Sequence, residues 1–323
     1  KSRVLILNIA KHMKKKILII SGAPNGDARV EEVNELSQRI RDCSTSSVLV
    51  THYQNLTFSI IDNQLEIFDE EHATSIKNYD LVYLRFWKGP FLPEASVVAH
   101  FLSHHGKEFV DQEALHATSN NKLTQYAFMA ENQLPVMDTL LASSATTMLQ
   151  AIDRHRLRWP LILKGSGGRR GQYNFLVQDA SMLKKVYADY PTQRFLVQRY
   201  IPNDFDYRIL VLGNSIGTIS KRTRQDKTDH RNNAFLGAVE EEVITSHFPS
   251  IIKQDALRAA RTFHRQVAGV DIVVDKETNK HYILEVNPAP GITYDALSEL
   301  PQLVRYLDTT AATSSANRSL DLA

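Results

Sequence analysis

Two apolar stretches late in the chain, Gly269-Val-Asp-Ile-Val-Val-Asp275 and His281-Tyr-Ile-Leu-Glu-Val-Asn-Pro288, are joined by a short polar turn and read as a β-hairpin. A register that sets Val274 opposite Tyr282 also sets Asp271 opposite Glu285. Asn287, two residues on, then points to the same side of the sheet. Two carboxylates facing each other across a ladder repel, and a cation between them removes that penalty. Two carboxylates and an amide oxygen, with positions left for phosphate and water oxygens, suit Mg²⁺. Asp271, Glu285 and Asn287 are therefore the candidate metal ligands. The alternative is a solvated hairpin face carrying incidental acids.

Upstream, Leu161-Ile-Leu-Lys164 runs into Gly165-Ser-Gly-Gly-Arg-Arg-Gly171. A buried strand ending in lysine supplies one fixed ammonium, and the glycines after it expose backbone N–H groups that can cradle phosphates. It is not a P-loop, because the lysine precedes the glycines and no Gly-Lys-Ser/Thr follows. A flexible surface loop would have the same composition. Phe195-Leu-Val-Gln-Arg-Tyr-Ile-Pro202 is an apolar strand leading into an extended connector, able to offer backbone groups to an adenine edge or simply to join two lobes. Lys221, Arg222, Arg224, Lys227 and Arg231 crowd one stretch. Without interleaved aromatics it is a poor nucleic-acid surface, whereas beside a triphosphate its guanidiniums would neutralise developing charge.

The bulk properties exclude several classes. A net charge of +2 gives no field that would hold nucleic acid or a membrane. The single cysteine, Cys43, forbids an internal disulfide and an all-thiolate metal site, and fits a reducing, cytoplasmic compartment. No apolar run is long enough to span a bilayer. His104-His105 reads as the end of a helix rather than a metal site, and no Cys/His pair argues for nucleophilic catalysis. Ser21-Gly-Ala-Pro-Asn-Gly26 lacks dinucleotide spacing and reads as a substrate-side or structural turn.

Strands at 16–21, 47–51, 80–87 and 108–111, separated by helices near 31–41 and 93–105, predict a small parallel sheet covered by helices over 13–118. A hairpin is inserted at 58–67. Residues 1–12 are expected to be an upstream extension outside the fold. A second domain spans 119–308, with a helix near 122–132, a flexible lid at about 145–200, a helix near 251–268 and the hairpin above. The Ser/Thr/Ala-rich stretch 309–323 is expected to be loose.

Taken in order, Asn-Lys-Leu at 121–123, Leu-Lys-Gly at 163–165, Val-Gln-Arg-Tyr-Ile at 197–201, Asp-Tyr-Arg at 206–208, Lys-Arg at 221–222, Arg-Asn-Asn at 231–233, Gly-Val-Asp at 269–271 and Glu-Val-Asn-Pro-Ala-Pro-Gly at 285–291 resemble the ATP-grasp superfamily. Within it the chain looks like the RimK-like carboxylate–amine ligases, over roughly residues 119–300. The resemblance implies an α/β chain in which a grasp domain of α+β type, the ATP-grasp fold, follows a small parallel α/β domain. It implies ATP and one or two Mg²⁺ as cofactors, with Mn²⁺ as an alternative ion. Lys122 and Lys164 would contact phosphates, and the loop containing Gly167, Gly168 and Gly171 would close over them. Gln198, Tyr200 and Ile201 would hold adenine, and Asp206 the ribose. Arg222 would stabilise the transferring phosphoryl group, while Arg208, Arg231 and Asn233 would contact phosphate or a substrate carboxylate. Arg169 and Tyr173 depart from the family's usual loop and imply a more basic lid.

The reaction so implied is activation of a carboxylate as an acyl phosphate and its capture by an amine, with release of ADP and phosphate. The acceptor would be an amino acid, a peptide or a protein, and a homo-oligomer fits the family. The rivals are a non-catalytic ATP-binding module and a small-molecule kinase of the same fold.

Overall fold

The computed structural model describes residues 14–22, 28–61, 64–85, 91–116, 122–142, 144–165, 173–225, 238–293 and 298–320. The chain divides into two compact units, one of residues 1–117, 264–267 and 289–323, the other of 118–263 and 268–288.

In the first unit β1 (Lys16–Ser21), α1 (Ala28–Cys43), β2 (Ser47–His52), β3 (Leu56–Ile61), β4 (Gln64–Asp69), β5 (Thr74–Ser75), β6 (Leu81–Arg85), α2 (Leu92–His104) and β7 (Glu108–Val110) follow one another. The parallel sheet expected from the sequence is present, in the order β2-β1-β6-β7. The β1 and β6 side chains are buried on both faces apart from Lys16, which explains their unbroken apolar runs. The inserted hairpin is β3–β4, extended by β5; its centre at Asp62-Asn63 lies outside the described residues, as does Trp87. At the end of β7, Asp111 is fully buried and accepts the backbone N–H groups of Gln266 (2.7 Å) and Val267 (2.9 Å). Beside it Glu113 takes both arms of Arg265 at 2.8 and 2.7 Å.

The second unit contains two antiparallel layers. After α3 (Lys122–Glu131) come β8 (Thr139–Ala142), α4 (Ala145–Arg154), β9 (Leu161–Gly165), β10 (Asn174–Val177), α5 (Ala180–Asp189) and β11 (Phe195–Arg199). Their four-stranded sheet, β10-β9-β11-β8, has its own core around Leu161, Leu163, Phe195 and Val197, sealed by Met148 and Leu183 from the two helices. Ser144 and Asp179 cap those helices by accepting the N–H groups of Thr147 and Met182. Then follow β12 (Phe205–Leu212), β13 (Ser215–Thr223), β14 (Val239–Glu242), α6 (Ser250–Thr262), β15 (Val267–Val274) and β16 (His281–Asn287), whose sheet order is β14-β13-β12-β15-β16. Ile209, Val211, Ile219, Val270 and Val286 of this sheet share a core with Met129 of α3 and Ala256 of α6.

Three expectations need correction. The helix expected over 251–268 ends at Thr262, because Phe263 caps it and His264 adopts φ +52°, which turns the chain out of the helix before β15 begins at Val267. The hairpin register is off by one at its turn end: Val274 pairs with His281, and Val273 with Tyr282. A bulge between the Ile272 and Asp271 pairings makes Leu284 the extra residue, and so Asp271 still faces Glu285. Lastly, the stretch expected to be loose from Thr309 continues a helix, α7 (Glu299–Leu320), within the first unit. Leu303, Val304, Leu307 and Ala311 recur at helical spacing and are buried. Asp308 fixes the same helix by accepting the hydroxyls of Ser44 (2.6 Å), Thr45 (3.0 Å) and Ser46 (2.5 Å) and the Thr45 N–H (2.9 Å). No helix among the described residues is long and apolar enough to cross a membrane.

Candidate active site

The face of the five-stranded sheet opposite its core is charged. In β12 and β13 the paired residues are Asp206 with Arg222 and Arg208 with Ser220. Strand β14 adds Glu240 opposite Arg222. On the hairpin, Gly269 pairs with Asn287 and Asp271 with Glu285. Alternation along each strand sends these side chains to one side. The bulge at Leu284 is what permits this in β16. In an unbroken strand Ile283, Glu285 and Asn287 would share a side, whereas here Ile283 and Val286 are fully buried in the core and Glu285 and Asn287 are only partly covered.

Arg222 donates from Nε to Asp206 Oδ1 at 2.7 Å, and its Nη2 lies 3.3 Å from Asp271 Oδ1. Arg208 reaches Asp271 with Nε at 3.0 Å and Nη2 at 3.4 Å. The Ser220 hydroxyl donates to Glu240 at 2.7 Å. The side chains of Arg222, Asp206 and Asp271 are 7, 8 and 14% exposed, so their charges interact through little water. Burial alone would raise the Asp271 carboxyl, but Arg208 and Arg222 outweigh it and hold it below the usual carboxylate range. Asp206 is pushed up to about 6 by burial, countered by Arg222 and reinforced by the nearby charge of Asp271. Both arginines are held above their ordinary value, Arg208 chiefly by Asp271, and Arg222 by Asp271 and Asp206 against the opposing effect of burial. Each arginine thus favours the charged form of the carboxylate it touches. The Glu285 carboxylate is partly covered and makes no ion pair among the described residues.

The other sequence-derived candidates fall on different elements. Lys122 opens α3 and is half-buried. Lys164 lies on β9 between Asn174 and Leu196, also half-buried. Gln198 is buried on β11, and its amide donates to Thr139 Oγ1 at 2.8 Å. Tyr200 is half-buried in the connector after β11, where Ile201 packs into the core and its carbonyl accepts the Asn203 amide at 2.7 Å. Gly167, Gly168, Gly171, Arg231 and Asn233 lie outside the described residues. The sequence reading missed Ser220 and Glu240. Glu240-Glu241-Glu242 looks like a solvated acidic run, and only its pairing with β13 reveals that Glu240 faces Arg222.

The donor set suits a hard divalent cation: two carboxylates on adjacent strands with an amide oxygen beside one of them, all oxygen ligands. Residues 119–298 match the model of the RimK-like ATP-grasp domain. A coenzyme γ-F420-2:α-L-glutamate ligase of Methanocaldococcus jannaschii is 26% identical over 222 residues, 66% of this chain and 74% of that protein. A probable α-L-glutamate ligase of Haemophilus influenzae is 27% identical over 235 residues, covering 70% of this chain and 76% of its own length. Among solved structures, the ATP-grasp ligase PsnB complexed with minimal precursor, Mg and ADP superposes with a TM-score of 0.67 at 16% identity, over 91% of this chain and 97% of PsnB.

Proposed function

Since this chain belongs to the RimK-like ATP-grasp family, we propose that its charged sheet face is the catalytic floor of an ATP- and Mg²⁺-dependent ligase, on which a carboxylate becomes an acyl phosphate. The chain is an ATP-dependent carboxylate–amine ligase. The observation that carries the catalytic reading is the cross-strand pair Asp271–Glu285, set beside the buried Arg222 and the half-buried Arg208.

Asp271, Glu285 and Asn287 hold Mg²⁺ in this reading, with Mn²⁺ able to substitute because it also accepts octahedral oxygen coordination. When bound, the ion neutralises phosphate oxygens and leaves the γ-phosphorus open to attack. Lys122 and Lys164 contact the phosphates, and the loop with Gly167, Gly168 and Gly171 covers them. Gln198, Tyr200 and Ile201 border the adenine. Asp206 is tied to Arg222 at 2.7 Å; the proposed ribose contact must therefore use its remaining oxygen. Arg222, anchored by that bond, aims a fixed guanidinium at the charge that develops on the transferring phosphoryl group. Arg208, Arg231 and Asn233 contact phosphate or the substrate carboxylate. No protein nucleophile is needed: positioning and charge neutralisation carry the chemistry. Closure of the lid, residues 145–200, would shield the acyl phosphate from water.

The amine belongs to an amino acid, a peptide or a protein acceptor. The glutamate ligases related in sequence and the precursor-bound PsnB support that class. A homo-oligomer in the cytoplasm completes the proposal, with Cys43 in keeping with a reducing setting.

Hydroxylamine trapping tests it. Incubation with ATP, Mg²⁺ and a panel of amino acids and peptides is expected to yield ADP and a hydroxamate. AMP and pyrophosphate would refute the phosphoryl route. ADP formed by phosphorylation of the substrate, without hydroxamate, would point to a kinase. ATP binding with no turnover on any candidate would point to a binding module.

A further inference from the structure

Asp271 is claimed twice. Its Oδ1 accepts Arg208 Nε at 3.0 Å and its Oδ2 accepts Arg208 Nη2 at 3.4 Å, while Arg222 Nη2 forms an ion pair with Oδ1 at 3.3 Å. Arg208 thus takes one lone pair on each oxygen of Asp271, and the Arg222 guanidinium crowds Oδ1 from the other side. A divalent cation shared with Glu285 needs the same oxygens. The two arginines differ in how firmly they are tied. Arg222 is 7% exposed and fixed by Asp206 at 2.7 Å, whereas Arg208 is 21% exposed and its hydrogen bonds run to Asp271 alone among the described residues.

We propose that Arg208 is a gate on the cation site: its guanidinium holds the oxygens of Asp271 until nucleotide phosphates draw it away, so that divalent-cation binding is coupled to nucleotide binding. This rests on the assignment of Asp271 and Glu285 as cation ligands. The exchange leaves no charge stranded. Before it, Arg208 compensates Asp271; after it, the cation compensates Asp271 and Glu285 while phosphate oxygens compensate Arg208. The fork of a guanidinium fits phosphate as well as it fits carboxylate, which makes arginine, not lysine, the suitable residue. Arg222 stays with Asp206 throughout and keeps its aim. The other charged groups facing the pair, Glu240 on β14 and Glu285 on β16, are both acidic and favour a net gain of positive charge.

The test is Mn²⁺ binding by the full chain, read at neutral pH from the electron paramagnetic resonance signal of free Mn²⁺, with and without a non-hydrolysable ATP analogue. Wild type is expected to bind Mn²⁺ weakly alone and more tightly with the analogue. Arg208→Met should bind Mn²⁺ alone about tenfold or more tightly than wild type, since a like charge has left the site, and the gain from the analogue should shrink. Arg208→Gln provides a second neutral variant should the Met protein melt below assay temperature. If both folded variants bind nucleotide-free Mn²⁺ no better than wild type while Asp271→Asn abolishes binding, the gate is wrong and the ligand assignment survives. If Asp271→Asn leaves Mn²⁺ binding unchanged with the analogue present, the ligand assignment falls and the gate with it.

Discussion

Asp271 and Glu285 face each other across the hairpin, yet replacing them should have different consequences. Glu285 makes no ion pair among the described residues, so Glu285→Gln orphans nothing. That variant is expected to lose turnover on the order of 10²–10³-fold with its melting temperature unchanged. Asp271→Asn removes the partner of Arg208 and a partner of Arg222, and is expected to cost about 2–4 kcal/mol of stability as well as activity. ADP release and urea unfolding on the same preparations separate the two outcomes. Near-normal turnover in Glu285→Gln would remove the cation role. Lys164→Ala should raise the apparent KM for ATP about tenfold through one lost charge-assisted contact; an unchanged value would dissociate Lys164 from phosphate. That Asp271 faces Glu285 was legible in the sequence, because their spacing from the turn sets them opposite each other. The pairing with the arginines was not. That Arg208 grips Asp271 depends on β12 lying next to β15, and no local pattern encodes the neighbour of a strand.

At the scale of elements, Leu284 matters more than its side chain. A hydrophobic pattern with Ile283 and Val286 three apart does not fit an unbroken strand, and the bulge reconciles it with Glu285 and Asn287 on the other face. Deleting Leu284 should therefore straighten β16 and keep Asp271 opposite Glu285, giving a folded protein. Deleting Val286 should turn Asn287 toward the core and cost far more. Circular dichroism melts of the two deletions check this, and equal damage would refute the bulge argument. The anticipated strands and helices whose apolar residues follow one clear period lie close to the observed elements. Strand β8 at Thr139–Ala142 and helix α4 at Ala145–Arg154 escaped notice. The strand is only four residues long, and the helix contributes just Met148 and Ile152 as buried residues. The bulge escaped for a related reason: a single inserted residue leaves the apolar pattern ambiguous between two registers.

For the molecule as a whole, Asp111 should make stability depend on pH, in the same direction as Asp206. Burial pushes the Asp111 carboxyl up to about 7; the amides of Val267 and Gln266 and the charge of Arg265 oppose the rise, and Glu113 adds to it. A carboxyl raised in the folded state contributes stability that is fully present below its unfolded value and is lost as pH climbs through about 7. Relative to Asp111→Asn, wild type is expected to lose about 2–4 kcal/mol between pH 4 and pH 8. Urea titrations at both pH values test this, and parallel curves for the two proteins would show that Asp111 does not titrate in that window. The order of synthesis adds a constraint of another kind. The first unit draws on residues 1–117, 264–267 and 289–323, and α7 contributes Leu303, Val304, Leu307 and Ala311 to the buried interior. The strands of that sheet are all made before the second unit, while the helix that covers them is made after it, so ribosome-bound chains stopped before Glu299 should depend on chaperones in a way that chains extending past Leu320 do not.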